Sequence, residues 1–356
     1  MRVALVGPTS SGKSSLFAAV AEAGGSHVHL ERPDQPHLAV VKVPDERLVW
    51  LAELHHRTKI IPAELEFLDL PGFDLSDPAG RNRAKAHWTA MRQSNMLVFV
   101  VRGFPGETVP AYRGRIDPAG DVEELLNEMI FADLEQATSR VAKLEAALRK
   151  PTGKRDEQKR ELVLMQRLCD TLENERPIAE AIHNEAEDKL VRSFAFLSQK
   201  PILVVLNCGE DEAADAGPDE VAGCPCIQLS ARIEQELAEL GPDERAEFLA
   251  ELGIASAARD RLIRACYRAM KLVSFLTIGP DEVRAWSVPE GTPAVEAAGE
   301  IHSDIARGFI RAETVAFDDL RACGDMKAAK AAGKVRLEGK AYLVADGDVI
   351  NFRFNV

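Results

Sequence analysis

Eight residues near the amino terminus constrain the fold more than any other stretch. Gly7-Pro8-Thr9-Ser10-Ser11-Gly12-Lys13-Ser14 follows the apolar run Val3-Ala4-Leu5-Val6. It precedes a segment, Lys13 to Ala23, in which Leu16, Phe17 and Val20 recur at helical spacing. The pattern G-x-x-x-x-G-K-[ST] between a buried strand and a helix is a phosphate-binding loop. Glycine lets the backbone wrap closely round an anion with its N–H groups turned inward, and the helix amino terminus adds partial positive charge there. The candidate phosphate-binding residues are Ser10, Ser11, Gly12, Lys13, Ser14 and Ser15. Lys13 is expected to neutralise the β- and γ-phosphates of ATP or GTP, and Ser14 to ligate Mg²⁺ through its hydroxyl.

A second motif lies where such a fold needs one. Ala63 to Leu68 reads as a strand that enters Asp69-Leu70-Pro71-Gly72. An Asp at the end of a buried strand can hold magnesium through water, and Gly72 can offer its N–H to the γ-phosphate. Lys13, Asp69 and Gly72 are therefore the candidate catalytic residues, and Ser14 with Asp69 the candidate metal pair. Phe73 stands where Ras-type GTPases place a water-orienting Gln, and a phenyl ring cannot polarise water. Farther on, the strand Ile202 to Leu206 runs into Asn207-Cys208-Gly209-Glu210. Guanine-reading proteins show Asn-Lys-x-Asp at that point. Here the Lys is missing and Glu210 replaces the Asp, so guanine selection is not encoded in the usual way. Ser230 and Ala231, after the strand Cys226 to Leu229, complete the candidate base site with Asn207, Cys208 and Glu210.

The rest of the chain supports an α/β protein with additions. Leu38 to Val43 and Met96 to Val101 read as further buried strands, and Asp45 to Leu54 as a helix. Strands of this kind separated by helices imply a parallel sheet covered on both faces. From 121 to 149, Val122, Leu125, Leu126, Met129, Ile130, Leu134, Val141, Leu144 and Leu148 keep helical spacing. Lys150-Pro151-Thr152-Gly153 reads as a turn, a second helix runs from about Asp156 to Glu175, and a third leads to Phe196. This is a helical hairpin inserted between strands. From about Thr277 the pattern changes to short strands and turns, among them Val283 to Val288 and Lys340 to Val344, with Asp346-Gly347 as a turn before Val349 to Phe354. With 356 residues the chain is long enough for two or three domains. The six cysteines fit no zinc spacing, nor do His27, His29, His55, His56 and His87. No apolar run reaches membrane-spanning length and no export signal is legible, so the expectation is a cytoplasmic protein without a membrane partner. A net charge of −13 argues against wholesale binding to naked nucleic acid but permits a local basic patch.

With these residues in view, the chain resembles the YchF / Obg-like ATPase family of translation-factor-class P-loop NTPases over essentially its whole length. The likeness is strongest in Val283-Arg284-Ala285-Trp286, Ala297-Ala298-Gly299-Glu300-Ile301-His302-Ser303-Asp304, Arg307-Gly308-Phe309-Ile310-Arg311-Ala312-Glu313, and Leu337-Glu338-Gly339-Lys340 through Asp346-Gly347-Asp348-Val349 to Val356. The resemblance implies a G domain (1–120 and 201–276), a coiled-coil-like helical insertion (121–200) and a C-terminal β-grasp, ubiquitin-like TGS domain (277–356). It also implies ATP preferred over GTP, through Asn207 and Glu210, and association with ribosomes or RNA through the TGS domain. Three departures stand out. Ser10 replaces the family's usual Asn, no Thr occurs in Glu31-Arg32-Pro33-Asp34-Gln35-Pro36 to serve as the switch threonine, and Asp74 to Gly80 is short and glycine-poor. Three readings stay open: a slow ATP hydrolase that couples nucleotide state to a ribosome or RNA partner, a non-catalytic nucleotide-binding adaptor, and a GTPase that tolerates Glu210. Oligomeric state is not legible.

Overall fold

A computed structural model describes residues 1–23, 34–76, 78–106, 109–149, 155–254 and 257–355. Half of the expected switch-threonine stretch (31–33), the turn at Lys150 to Gly153, and His27 and His29 lie outside them. The described strands are β1 (Arg2–Val6), β2 (His37–Lys42), β3 (Lys59–Ile61), β4 (Glu64–Asp69), β5 (Met96–Arg102), β6 (Ile202–Asn207), β7 (Glu220–Val221), β8 (Cys224–Leu229), β9 (Leu272–Ile278), β10 (Glu282–Pro289), β11 (Phe309–Ala316), β12 (Arg336–Glu338) and β13 (Asp348–Phe354). They form a seven-stranded sheet, β2-β4-β1-β5-β6-β8-β7, and a six-stranded sheet, β12-β11-β13-β9-β10-β3. The chain divides into two compact units. One comprises the described residues of Met1–Glu22, His27–Ala39 and Phe67–Ala255; the other comprises those of Ala23–Ser26, Val40–Glu66 and Ser256–Val356.

In the first unit β1, β5, β6 and β8 are parallel neighbours. Every residue of β5 is buried, which accounts for its unbroken apolar run. Beneath the sheet Val6, Leu70, Phe73, Met91, Leu97, Phe99, Val122, Leu125 and Met129 pack together. The helical insertion leaves the sheet between β5 and β6. Its helices, Pro118–Leu148 and Arg155–Glu173, share an apolar seam of Ala137, Leu144, Leu164, Met165, Leu168 and Leu172. Across that seam Arg140 makes a two-pronged bond to Glu161 at 2.7 and 2.8 Å. The third helix that leads to Phe196 is short, Glu185–Val191 capped by Asn184, and 3₁₀ turns on either side complete the return to β6.

In the second unit β9 and β10 pair antiparallel, as do β11 with β12 and β13. Helix Ala294–Ile301 sets Ala294, Ala297 and Ala298 against Phe275, Val288, Ala312, Ile350 and Phe352. Three small residues on one helix face let helix and sheet approach closely. β3 pairs parallel with β10, Lys59 opposite Glu282 through Ile61 opposite Arg284. The segment Lys340 to Val344 is not a strand. Its backbone bonds run to the 292–294 turn instead, Val344 N–H to Thr292 C=O at 3.0 Å and Ala294 N–H to Tyr342 C=O at 2.7 Å. The Asp346-Gly347 turn is present, with Gly347 at φ 80.

Candidate functional site

The phosphate loop is set by β1 and the helix Lys13–Ala23, whose Leu16, Phe17 and Val20 are buried. Gly12 is required twice over. Its φ is +85, and an added Cβ would lie 2.0 Å from Asn207 Nδ2. Ser10 also takes a left-handed φ of 65. Asn tolerates that region better than Ser, so the departure at Ser10 carries a small local backbone cost.

Lys13 and Asp69, 4% and 3% exposed, are brought together at the carboxyl ends of β1 and β4. The Lys13 ammonium is ion-paired with Asp69 Oδ1, and Ser14 Oγ donates to Asp69 Oδ2 at 2.9 Å. Burial pulls the Lys13 pKa below its ordinary value, and the Asp69 charge opposes that pull. Burial, with the nearby Lys13 charge, likewise holds the His87 imidazole below its usual range.

The turn after Asp69 is stitched to the loop by backbone. Thr9 N–H donates to Phe73 C=O at 3.0 Å, and Phe73 N–H donates to Gly7 C=O at 3.3 Å. A Cβ on Gly72 would meet the Thr9 backbone at 3.1 Å, so any side chain there would have to push Thr9 back by a few tenths of an ångström. Phe73 itself is 8% exposed and belongs to the apolar core.

Asn207 is buried at the end of β6. Its Nδ2 donates to Ser11 C=O at 2.9 Å, and its Oδ1 accepts from Ala231 N–H at 2.9 Å. Both ends of the amide therefore tie the phosphate loop to the start of helix Ala231–Glu239. Cys208 and Ser230 are buried beside it. Glu210 is exposed and pairs with Arg232 at 2.8 Å. Ser11, Gly12, Lys13, Ser14, Asp69, Asn207 and Ala231 are thus linked by short contacts, and Gly72 lies against Thr9, whereas Ser10 and Ser15 make none of these bonds. Sequence reasoning did not foresee the pairing of Arg232 with Glu210. It also missed the clamp on Leu75, whose N–H donates to Tyr112 Oη at 3.1 Å while Tyr112 donates to Glu124 at 2.9 Å.

Comparison with known proteins agrees with this geometry. Residues 2–136 match the family described as 50S ribosome-binding GTPase. Residues 272–355 match the YchF-GTPase C-terminal family, whose description is protein of unknown function. The chain is 40% identical over 363 residues to the ribosome-binding ATPase YchF of Bacillus subtilis, covering 99% of this chain and 98% of that protein. It is 36% identical over 365 residues to the ribosome-binding ATPase YchF of Escherichia coli O157:H7, with coverage of 99% and 98%. It is 33% identical over 378 residues to Obg-like ATPase 1 of Oryza sativa, with coverage of 100% and 92%. Among solved structures, that of the Schizosaccharomyces pombe YchF GTPase superposes with a TM-score of 0.85 at 25% identity, covering 99% of this chain and 97% of that one. Loop, Asp-x-x-Gly turn, insertion and C-terminal sheet therefore occur here in a chain that belongs to the YchF family of P-loop NTPases.

Proposed function

We propose that this chain binds ATP with magnesium on the Gly7–Ser14 loop, hydrolyses it slowly, and couples the bound nucleotide to a ribosome. The observation that carries the reading is the buried cluster of Lys13, Ser14 and Asp69. A buried ammonium with one carboxylate partner is a site prepared for more negative charge, which a triphosphate supplies. With phosphate on Lys13, Asp69 is freed to face the metal position beside the Ser14 hydroxyl. A hydroxyl and a carboxylate are hard oxygen donors and suit Mg²⁺. Bound magnesium supplies charge neutralisation at the β- and γ-phosphate oxygens. Gly72, held against Thr9, offers its N–H toward the γ-phosphate.

Turnover is slow because the position after Gly72 contributes no polar group: Phe73 is spent in the core. That same burial is the specific observation favouring the second reading, an adaptor that binds ATP without hydrolysing it. The Asn207 amide is held by Ser11 and Ala231 with one Nδ2 hydrogen still free to meet a base, so base choice falls to Asn207, Glu210 and the backbone at Ser230 and Ala231. The relatives named ribosome-binding ATPases support both ATP and the ribosome as partners. The division of labour is a G domain at 1–120 and 201–276, a helical arm at 121–200 and a TGS domain at 277–356 that meets RNA. No helix among the described residues is long and apolar enough to cross a membrane, and we place the protein in the cytoplasm.

Single-turnover hydrolysis of γ-labelled ATP and GTP, alongside calorimetric binding, tests the reading. The expected result is ATP binding at least as tight as GTP, with hydrolysis near the intrinsic Ras-type rate of about 10⁻⁴ to 10⁻³ per second. Tight binding without turnover selects the adaptor. Absence of binding refutes the assignment, as does a fast rate stimulated by potassium.

A further inference from the structure

We infer that Tyr112 is a positioning residue for the γ-phosphate: through Leu75 it fastens the turn at Gly72 to the first helix of the insertion, which thereby sets the preference for ATP over ADP. The inference deepens the nucleotide reading above and rests on it. Tyr112 is buried, and its hydroxyl is used in both directions. It accepts from Leu75 N–H at 3.1 Å and donates to Glu124 Oε2 at 2.9 Å. A hydroxyl that donates to a carboxylate becomes a better acceptor, so the two bonds reinforce each other. The carbonyl of Leu75 is held as well, by Arg81 Nε and Arg113 Nη2, both at 3.3 Å. The insertion answers these two arginines in turn: Arg113 pairs with Glu124, and Arg81 with Glu128 at 3.3 Å. Glu124 and Glu128 stand four residues apart on the helix Pro118–Leu148, hence on one face of it. Leu125, next to Glu124, packs in the same core as Phe73 and Leu75. Arg113 reaches its partners from a left-handed backbone, φ 52, which is uncommon outside glycine.

The position of Gly72 follows from the spacing of these anchors. Phe73 is bonded to the phosphate loop through both its N–H, to Gly7 C=O at 3.3 Å, and its C=O, from Thr9 N–H at 3.0 Å. Leu75, two residues on, is bonded to Tyr112. A chain spans at most about 3.6 Å per residue, so the one intervening residue, Asp74, gives little slack. Gly72 is therefore located by Thr9 on one side and by Leu75 on the other. ADP ends at the β-phosphate, whereas ATP carries the γ-phosphate that meets the Gly72 N–H, so a displaced turn weakens ATP and spares ADP. The hydroxyl matters more than the surrounding ion pairs. Leu75 N–H is buried, and a buried donor that loses its acceptor is costly, while ion pairs with exposed members contribute little. Coupling of this kind is reciprocal: as the insertion biases ATP over ADP, the γ-phosphate biases the insertion by the same factor.

The test uses the full-length protein, with a fluorescent nucleotide displaced by the magnesium complexes of ADP and of the slowly cleaved β,γ-imido analogue of ATP. Wild type is expected to prefer the analogue. Tyr112→Phe keeps the buried ring and deletes the hydroxyl. It is expected to lower the analogue-to-ADP affinity ratio about fivefold, the scale of one hydrogen bond, with ADP affinity unchanged. Glu124→Ala, on the insertion helix, is expected to give the same loss, and the double variant no more than either alone, as for residues that act as one unit. Losses that multiply in the double variant overturn the link to the insertion. A ratio unmoved by Tyr112→Phe, or ADP affinity that falls in parallel, overturns the positioning role while the nucleotide reading survives. Wild-type protein that binds neither nucleotide overturns both.

Discussion

At the scale of the residue, the Lys13–Asp69 pair changes what the obvious substitution does. From sequence alone, Lys13→Ala is expected to abolish nucleotide binding and leave the fold untouched. The structure buries both charges against each other. Removing one partner of such a pair leaves an uncompensated carboxylate, at a cost of about 3–5 kcal/mol, whereas replacing both charges is often close to neutral. Lys13→Ala is therefore expected to lose ATP binding and to unfold at lower urea, while Lys13→Met with Asp69→Asn regains the stability and still binds no ATP. Equilibrium unfolding with calorimetry checks this, and a single variant as stable as wild type would contradict the burial argument. The loop itself was legible because a phosphate dictates both residue types and spacing. The pairing was not, since 56 positions separate Lys13 from Asp69. The Asn207 tie to Ser11 and Ala231 was illegible for the same reason: a strand-end amide gives no sign in sequence of the backbone groups it will hold.

At the scale of the element, legibility followed local pattern. β5 and helix Pro118–Leu148 could be read because burial on all sides or along one seam leaves an unbroken or periodic apolar record. The segment Lys340 to Val344 has the same local pattern as a strand, yet its partners in space are the 292–294 turn. The buried Asp133 left no signal at all among the charges of its helix. It accepts from Leu197 N–H at 3.0 Å, from Ser198 N–H at 2.7 Å and from Arg92 Nη1 at 2.9 Å. One carboxylate thus fastens the return of the insertion to the sheet. Asp133→Ala strands two backbone N–H groups and leaves Arg92 only the Ala132 and Ala195 carbonyls, and is expected to cost about 3–5 kcal/mol in thermal or urea unfolding. The nucleotide site is built from other residues, so ATP affinity should hold wherever the variant stays folded. A variant with wild-type stability would mean that water replaces the carboxylate without loss.

At the scale of the whole molecule, the compact units are not consecutive stretches. Residues 40–66 group with the C-terminal unit, and β3 pairs with β10 although 223 positions separate Lys59 from Glu282. A three-residue strand with two exposed members carries no periodicity to announce this. Cutting the chain at 277 would therefore strip β10 from β3 and β13 from β9, and a lost activity would report a damaged unit as readily as a lost contact. Point charges are the cleaner probe of the proposed ribosome contact. Of the basic residues in this region, Arg307, Lys334 and Arg336 are paired with Asp304, Asp319 and Glu338. Exposed Arg311 and Lys340 have no recorded ion pair among the described residues, and neither do exposed Arg321 and Lys327; we take Arg311 and Lys340, which flank the β11–β12 edge, as the first charges to test against phosphate. Arg311→Glu with Lys340→Glu is expected to abolish cosedimentation with ribosomes at salt where wild type still pellets, and to leave ATP affinity unchanged. Binding by wild type should itself fall steeply between roughly 50 and 200 mM salt, as phosphate contacts require. Neutralising Lys334 and Arg336 instead should have little effect, because their charges are already answered. Equal loss from both pairs would point to general charge rather than a face, and no loss from either would remove the C-terminal sheet from the contact.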